Sequence, residues 1–179
     1  MYNLLDRQDH PNYLRFMASP RPLDRTDRLI VAILSEDSRI TNQELARRVS
    51  LAPSTSLERV RRLRESGVIR GVHAEVDPAA LGVGVEALVA VRMRQHTREL
   101  VEGFQAYAAA LPEVIQVFHL TGAEDFLIHV ACRDVHHLRQ FSLDAFTTRE
   151  EVAQIHTSLI YEQLRRFQWP DYLEDPAEP

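Results

Sequence analysis

The 179-residue sequence contains no lysine, so all 21 of its basic side chains are arginines. Cysteine is almost absent, and Cys132 alone excludes an internal disulfide framework and is typical of a reducing compartment. It lies in the apolar run FLIHVAC, where we expect a buried, inert thiol. No apolar run approaches the ~18 residues of a membrane span, and the first residues lack the apolar core of a signal peptide. We therefore expect a cytoplasmic protein.

The formal net charge of −5 is unevenly divided along the chain. Residues 21–73 carry 11 Arg and 7 Asp or Glu, a net charge of +4, whereas residues 74–179 carry 8 Arg and 17 Asp or Glu, a net charge of −9. A basic segment followed by an acidic one indicates two domains with different partners. The field of the first segment can attract phosphate.

Residues 40–71, ITNQELARRVSLAPSTSLERVRRLRESGVIRG, have the pattern of two short helices around a tight turn. Thr41 and Glu44 have the spacing of a capping box, so a helix should begin at Asn42. Pro53 suits the first position of the second helix, because the N–H that proline lacks is not needed there.

The second helix should end at Gly67 in a left-handed cap. It should bury three apolar residues at helical spacing: Leu57, Val60 and Leu63. An earlier helix, capped by Asp24 or Thr26, should complete a three-helix unit. This is the helix-turn-helix pattern, which places its second helix in the major groove of DNA.

Helical geometry places polar and basic side chains opposite the buried ones. Ser54 and Thr55 lie in the first turn, which enters the groove in motifs of this class. Arg59 and Arg62 should reach guanine edges or phosphates. Four other arginines should contact the DNA backbone: Arg47, Arg48, Arg61 and Arg64. The predicted DNA contacts are Ser54, Thr55, Glu58, Arg59, Arg62, Arg47, Arg48, Arg61 and Arg64.

These arginines have a second interpretation, as a solvated helix face paired with glutamates of the same helix. The capped helix and tight turn favour DNA contact for Arg59 and Arg62. For Arg61 and Arg64 both interpretations stay open. Arg59 has a third interpretation, in which it is a structural bridge to the preceding helix.

The second half of the chain alternates between strand and helix patterns. The predicted strands are residues 85–93, 114–120, 126–131 and the segment from Val152, and the predicted helices are residues 97–111 and 134–146. This β-α-β-β-α-β order is the ferredoxin-like arrangement. If the sheet face without helices is apolar, a second subunit should bury it. Residues 68–76 also alternate, which predicts a small wing or a linker strand.

Short motifs follow one another in order along residues 23–168. They are Leu23-Asp24-x-x-Asp27, Arg39-Ile40, Glu44-Leu45-Ala46, Arg59-Val60-x-x-Leu63, Gly67-Val68-Ile69, Asp77-Pro78-x-x-Leu81-Gly82 and Gly122-x-x-Asp125-Phe126. Their order and spacing resemble the Lrp/AsnC (feast/famine) family of bacterial and archaeal transcription regulators, and within it the actinobacterial regulators of alanine dehydrogenase. The resemblance implies a regulator that responds to a free amino acid, dimerises through its C-terminal sheets and often builds octamers.

The predicted fold is therefore α+β, with an N-terminal winged helix-turn-helix and a C-terminal ferredoxin-like effector and oligomerisation domain. The predicted divisions are a flexible leader (1–22), the helix-turn-helix domain (23–73), a linker (74–83), the ferredoxin-like domain (84–168) and an acidic tail (169–179).

The resemblance implies an effector site between subunits near residues 121–125. Backbone N–H groups at Gly122 could bind the carboxylate of an amino acid, and Asp125 could bind its ammonium group. The alternative is a plain hairpin with Gly122 at positive φ and Asp125 as its cap. The predicted effector residues are Gly122, Ala123, Glu124, Asp125, Thr121, His119 and Thr157.

Three features depart from the usual family pattern, of which one is that the leader and the acidic tail Asp171–Pro179 lie outside it. The other two are local. Ala52 stands where serine usually precedes the proline of the recognition helix, which loses a side-chain cap of roughly 1 kcal/mol. Arg149, Glu150, Glu151 and Val152 replace the usual Pro-Gly-Val before the last strand. The second local departure leaves the identity of the effector open.

The sequence thus predicts a sequence-specific transcriptional regulator that binds double-stranded DNA and an amino acid. The rival is a nucleoid-type architectural protein with little effector response, which would bind DNA broadly and with a steep salt dependence. The chain has no nucleophile elbow, P-loop or dinucleotide fingerprint, and its eight histidines lack metal-ligand spacing. We expect no catalysis, no metal and no cofactor.

Overall fold

The computed structural model describes residues 23–173, whose contacts divide into two compact units. Residues 23–73 and 165–173 form the three-helix unit, and residues 74–164 form the sheet unit. The predicted leader (1–22) and residues 174–179 of the predicted tail lie outside the described residues. In the described part, no helix is long and apolar enough to cross a membrane.

The helices of the three-helix unit are α1 (Arg25–Glu36), α2 (Asn42–Arg48) and α3 (Pro53–Glu65). The predicted caps of the first two are confirmed. Asp24 accepts a hydrogen bond from the backbone N–H of Asp27 at 2.7 Å, and Thr41 accepts one from that of Glu44 at 3.2 Å. The apolar core between the helices is formed by Ile30, Ile33, Leu45, Val49, Val60 and Leu63.

The turn between α2 and α3 depends on an unusual backbone conformation. Ser50 has a φ of 56°, in the left-handed region that few residues other than glycine adopt. The side-chain amide of Asn42 donates to the carbonyl of Pro53 at 2.8 Å, which joins the beginnings of the two helices. Gly67 follows α3 with a φ of 72°, so the predicted left-handed cap is confirmed.

The buried face of α3 differs from the prediction. Leu57 is 60% exposed, whereas Ser56 is fully buried beside Val60 and Leu63. At 3.6 residues per turn, Ser56 and Leu63 lie about 20° apart around the helix, whereas Leu57 and Leu63 lie about 120° apart. The helix therefore buries the small polar residue and leaves the larger apolar one exposed, because only Ser56 is aligned with the other two.

The sheet unit contains four strands, β1 (Val85–Met93), β2 (Val114–His119), β3 (Phe126–Cys132) and β4 (Val152–Leu159). They pair antiparallel in the order β2-β3-β1-β4. A 3₁₀ turn, Pro78–Leu81, precedes the first strand. The helices are α4 (Arg98–Ala109) and α5 (Val135–Ser142), the latter continued by a π-helical turn, Leu143–Thr147. The predicted ferredoxin-like order is confirmed.

The two faces of this sheet have different surroundings. Helix α4 packs on β2 and α5 packs on β3 and β1. This face includes four buried residues of β1: Ala87, Val89, Val91 and Met93. The opposite face has no helix over it in the described chain and carries partly or largely exposed apolar residues: Leu88, Ala90, Phe118, Leu127 and Ala131.

Residues 68–76 do not form the predicted strand, since they pair with no strand among the described residues. Alternation of apolar and polar residues describes one face of a strand but supplies no hydrogen-bonding partner. Val72 and Val76 consequently remain more than half exposed.

Candidate nucleic-acid interface and effector turn

The outward side of α3 is mainly polar and basic. Its exposed side chains are Ser54, Thr55, Leu57, Glu58, Arg61, Arg62, Arg64 and Glu65. The predicted contacts on this helix therefore reach solvent, with the exception of Arg59. Leu57 adds an apolar side chain among them, which the sequence pattern had assigned to the core.

Arg59 points towards α1. Its Nη1 lies 2.5 Å from Asp24 Oδ2 and 2.7 Å from Asp27 Oδ1, and its side chain is 23% exposed. Hydrogen bonds to Asp24 and Asp27 raise the pKa of the guanidinium. Burial alone would raise the pKa of the Asp24 carboxyl, but hydrogen bonds from Arg59 and from the backbone of Asp27 outweigh it and lower that pKa. Arg59 thus bridges α3 to α1, and its contact with DNA stays a prediction.

Arg62 shares the same acceptor but remains half-exposed. Its Nη2 lies 3.1 Å from Asp27 Oδ2, so the buried carboxylate of Asp27 holds two arginines of α3. The orientation of α3 relative to α1 is therefore secured by charge-assisted hydrogen bonds as well as by apolar packing.

The arginines of α2 form an exposed cluster with a glutamate. Glu44 accepts from Arg47 Nε and Nη2 at 2.8 Å each, and from Arg48 Nε at 2.9 Å. Hydrogen bonds from Arg47 and Arg48 lower the pKa of Glu44 to about 2. Both guanidinium groups remain at the surface, where phosphate could replace the carboxylate.

On α3, Arg61 Nη2 lies 2.8 Å from Glu58 Oε1. The hydrogen bond from Arg61 lowers the pKa of Glu58. Arg64 has no ion pair within residues 23–173. Arg61 therefore has the glutamate partner that the solvated-face interpretation describes, and its role in DNA binding stays a prediction.

The turn between β2 and β3 is held by Asp125. Its N–H donates to the carbonyl of Val91 at 3.0 Å, and its Oδ2 accepts from the N–H of Met93 at 2.7 Å. Its Oδ1 lies 2.7 Å from His96 Nε2. Both carboxylate oxygens are thus engaged, and His96 stands where a cationic ligand group would approach.

The other predicted effector residues near this turn differ in exposure and in their contacts. Thr121, Gly122 and Ala123 are exposed at the tip of the turn, with Gly122 at a φ of 137°, and Glu124 is half-buried. His119 stacks on Phe126 with ring centroids 4.9 Å apart, next to the turn.

Thr157 is not brought to the turn. It pairs with Val89 near the middle of β1, on the far side of that strand from β3. Two strand spacings and several residues along the strand therefore separate it from Asp125, a distance of more than about 10 Å.

Two cavities, the candidate metal ligands and the thiol of Cys132 are also relevant to ligand binding in the described residues. A cavity of about 320 Å³ is lined by residues of and next to α4, α5 and the π-helical turn, and one of about 350 Å³ by residues around the 3₁₀ turn and the end of β4; neither includes a residue of the β2–β3 turn, 121–125. In residues 23–173, no group of three or more His, Cys, Asp or Glu side chains is placed to hold a metal ion. The thiol of Cys132 is buried, and burial raises its pKa.

Comparisons with known proteins match both units. The model of the winged helix-turn-helix DNA-binding domain matches residues 23–70, and that of the Lrp/AsnC ligand binding domain matches residues 86–170. The HTH-type transcriptional regulator AldR of Mycolicibacterium smegmatis is 44% identical over 145 residues, which cover 81% of this chain and 85% of that protein. The chain belongs to the Lrp/AsnC family.

Solved Lrp/AsnC structures agree with this assignment. A transcriptional regulator of Neisseria meningitidis in complex with L-Met is 32% identical, with a TM-score of 0.74 over 81% of this chain and 94% of that one. An AsnC family regulator from Agrobacterium tumefaciens is 28% identical, with a TM-score of 0.75 over 83% and 97% of the two chains. The relatives are transcriptional regulators and not enzymes, and the predicted family and fold class are confirmed.

Two structural features were missed by reasoning from the Lrp/AsnC motifs. Asp27 was noted only as a motif residue, yet its spacing from Asp24 was a usable signal, since two carboxylates in one turn can hold one guanidinium. His96 carried no signal, because its contact with Asp125 depends on how β1 meets the β2–β3 turn.

Proposed function

We propose that this chain is a sequence-specific transcriptional regulator that responds to a free amino acid and acts as dimers assembled into higher oligomers in the cytoplasm. The observation that supports it best is the exposed polar and basic side of α3, following a capped helix and a tight turn. A helix presented in this way fits the major groove.

In the DNA complex, arginines would exchange carboxylate partners for phosphates. Exposed ion pairs contribute little to stability, so Arg47, Arg48 and Arg61 can exchange their carboxylate partners for phosphates at little cost. Arg62 is half-exposed and can turn towards a base or a phosphate, whereas Arg59 keeps its partly buried contacts and positions α3. Base reading is assigned to Ser54, Thr55, Glu58 and Arg62.

Leu57 joins this surface as an apolar contact. A side chain that is 60% exposed on the outward half of a recognition helix can pack against the methyl group of thymine. Replacing thymines of the binding site by uracil, one at a time, should then weaken binding at one position for the wild type. For Leu57→Ser the same replacement should change nothing; equal losses for both proteins would remove Leu57 from the contacts.

The uncovered sheet face supports dimerisation. Leu88, Leu127 and Phe118 lie close together on it, through the pairing of β1, β3 and β2. Burying such a face against its copy removes apolar area from water and places two copies of α3 in one particle. Two recognition helices can then contact two half-sites.

The effector is proposed to bind at residues 121–125. Its carboxylate would meet backbone N–H groups around Gly122, and its ammonium group would replace His96 at Asp125. For the amino acid to alter DNA binding, it must bind two assembly states with different affinity.

A titration of the full-length protein onto DNA from upstream of its own and neighbouring genes, with each amino acid in turn, tests the proposal. Discrete binding altered by one amino acid would support it. Uniform binding to every fragment, indifferent to amino acids and steeply dependent on salt, would replace it with the architectural function.

Gly122→Thr tests the location of the effector site. Its φ of 137° is one that side-chain-bearing residues rarely adopt, so the turn should distort and the effector response should be lost. Gly103→Thr, the same change at an open position of α4, is the control. A response that survives Gly122→Thr would place the site elsewhere.

A further inference from the structure

The C-terminal segment, residues 165–173, belongs to the three-helix unit although it follows the last strand of the sheet. Arg28 Nη1 of α1 donates to the carbonyl of Leu173 at 2.5 Å and lies 3.3 Å from Asp171 Oδ2. The Arg28 side chain is only 12% exposed. At the other end of α1, the side-chain amide of Gln168 donates to the carboxylate of Glu36.

The spacing of these contacts shows how the segment lies. Arg28 and Glu36 are eight residues apart, which is about 12 Å along a helix. Gln168 and Leu173 are five residues apart and can span at most about 17 Å when extended. The segment therefore runs along α1 in the opposite direction, and it forms neither helix nor strand.

Its sequence suits this conformation. Pro170 cannot continue a helix, and it disfavours helical geometry at Trp169 before it. Phe167 and Leu173 are each 47% exposed, whereas Trp169 and Tyr172 are 86% and 87% exposed. The segment therefore has one side partly covered and another facing solvent. The backbone N–H of Leu173 donates to Asp171 Oδ1 at 3.0 Å, which holds that carboxylate beside Arg28.

The segment also begins an acidic stretch. Residues 165–179 contain two arginines, Arg165 and Arg166, and four side-chain carboxylates, all four within residues 171–179, a net charge of −2, whereas residues 21–73 have a net charge of +4. Only Asp171 of these four lies in the docked segment, so docking on Arg28 tethers the carboxylates that follow it in the sequence to the unit that carries the recognition helix. DNA affinity depends on such charge, because phosphate contacts release counterions.

We propose that the C-terminal segment is an intramolecular strap, which docks on α1 through Arg28 and so tethers Asp171 and the carboxylates that follow it in the sequence to the basic unit, where they weaken DNA binding. This rests on the proposed DNA-binding function. The surface is the outer side of α1 between Arg28 and Glu36, and its occupant is the chain's own segment around Gln168 and Asp171.

Docking can be measured without DNA, because Trp169 is the only tryptophan of the chain. The Trp169 side chain faces solvent, so time-resolved fluorescence anisotropy of the full-length protein is read for the motion of the segment that carries it, which docking should restrict. Arg28→Ala and Asp171→Asn should each raise the amplitude of that motion at least roughly twofold. Arg25→Ala, which removes the same charge from an exposed position of the same helix, is the control.

Two results would overturn docking. One is an anisotropy decay that neither variant changes, with circular dichroism showing that both are folded. The other is an amplitude of the segment's fast motion that falls as protein concentration rises, which would place the segment on a second copy instead.

The inhibitory effect is tested with DNA. At about 50 mM salt, Asp171→Asn should bind DNA more tightly than the wild type, and removal of residues 171–179 should increase affinity by roughly threefold or more. The increase should shrink as salt screens the carboxylates. Unchanged affinity after the removal would overturn the strap alone, whereas no DNA binding by any variant would overturn the proposed function.

Discussion

Asp27 shows how one buried side chain can serve two others. It is 5% exposed, and its two oxygens accept from Arg59 and Arg62 of the neighbouring helix. A carboxylate in such a position is tolerated because its hydrogen bonds offset its desolvation. Removing its charge would leave Arg59 with Asp24 as its remaining partner.

We expect Asp27→Asn to lower the free energy of unfolding by about 2 kcal/mol, because hydrogen bonds to charged groups are lost in a partly buried place. Glu65→Gln, at an exposed position of α3, should change it by less than about 0.5 kcal/mol. Urea denaturation followed by circular dichroism measures both. Equal stability of the two variants would show that the Asp27 cluster does not secure α3.

At the scale of elements, α3 begins without a side-chain cap. Ala52 occupies the N-cap position and makes no such hydrogen bond, whereas Asp24, Thr41, Thr97 and Asp134 each cap their own helices. The departure at Ala52 noted in the sequence therefore has a direct structural consequence, because one N–H of the first turn lacks this acceptor.

Ala52→Ser should raise the free energy of unfolding by about 1 kcal/mol by supplying the missing acceptor. The control is Ala52→Val, which adds bulk at this exposed position without an acceptor and should not stabilise the protein. Thermal unfolding of the three proteins gives the comparison. If Ala52→Ser does not raise the free energy of unfolding, water already accepts hydrogen bonds from the N–H groups in the first turn of α3.

The elements differ in how far the sequence could predict them. Strand β1 and the caps at Thr41 and Asp134 follow from local patterns, and the structure has them as expected. The face of α3 could not be predicted correctly, because a pattern that ranks residues by hydrophobicity selects Leu57 over Ser56. In the candidate site, the spacing of Asp24 and Asp27 signals a place for one guanidinium, but that Arg59 occupies it depends on how α3 packs on α1, which no local pattern contains.

At the scale of the whole molecule, the uncovered sheet face is the interface that we propose for the dimer. Apolar side chains lie on it beside polar ones such as Glu86, His129 and His156, and an exposed apolar patch bordered by polar residues is typical of an interface. Leu127 lies within it, between Ala90 and Phe118 on the neighbouring strands.

Leu127→Glu should convert the dimer to a monomer, because it places a charge where apolar area is buried. Leu143→Glu is the matched control, since Leu143 is partly exposed in the π-helical turn beyond α5. Sedimentation velocity distinguishes the species. A dimer that persists in Leu127→Glu would assign the interface to another surface.

The central claim is that the outward side of α3 reads DNA, and binding by Arg62→Ala tests it most directly. Wild type and Arg98→Ala, a change at an exposed position of α4, should bind DNA from upstream of the chain's own gene more tightly than shuffled DNA of equal composition. Arg62→Ala should lose roughly tenfold in affinity for the upstream DNA, with an unchanged oligomer size. Equal affinity of Arg62→Ala and wild type, or no preference of the wild type for the upstream sequence, would contradict the account.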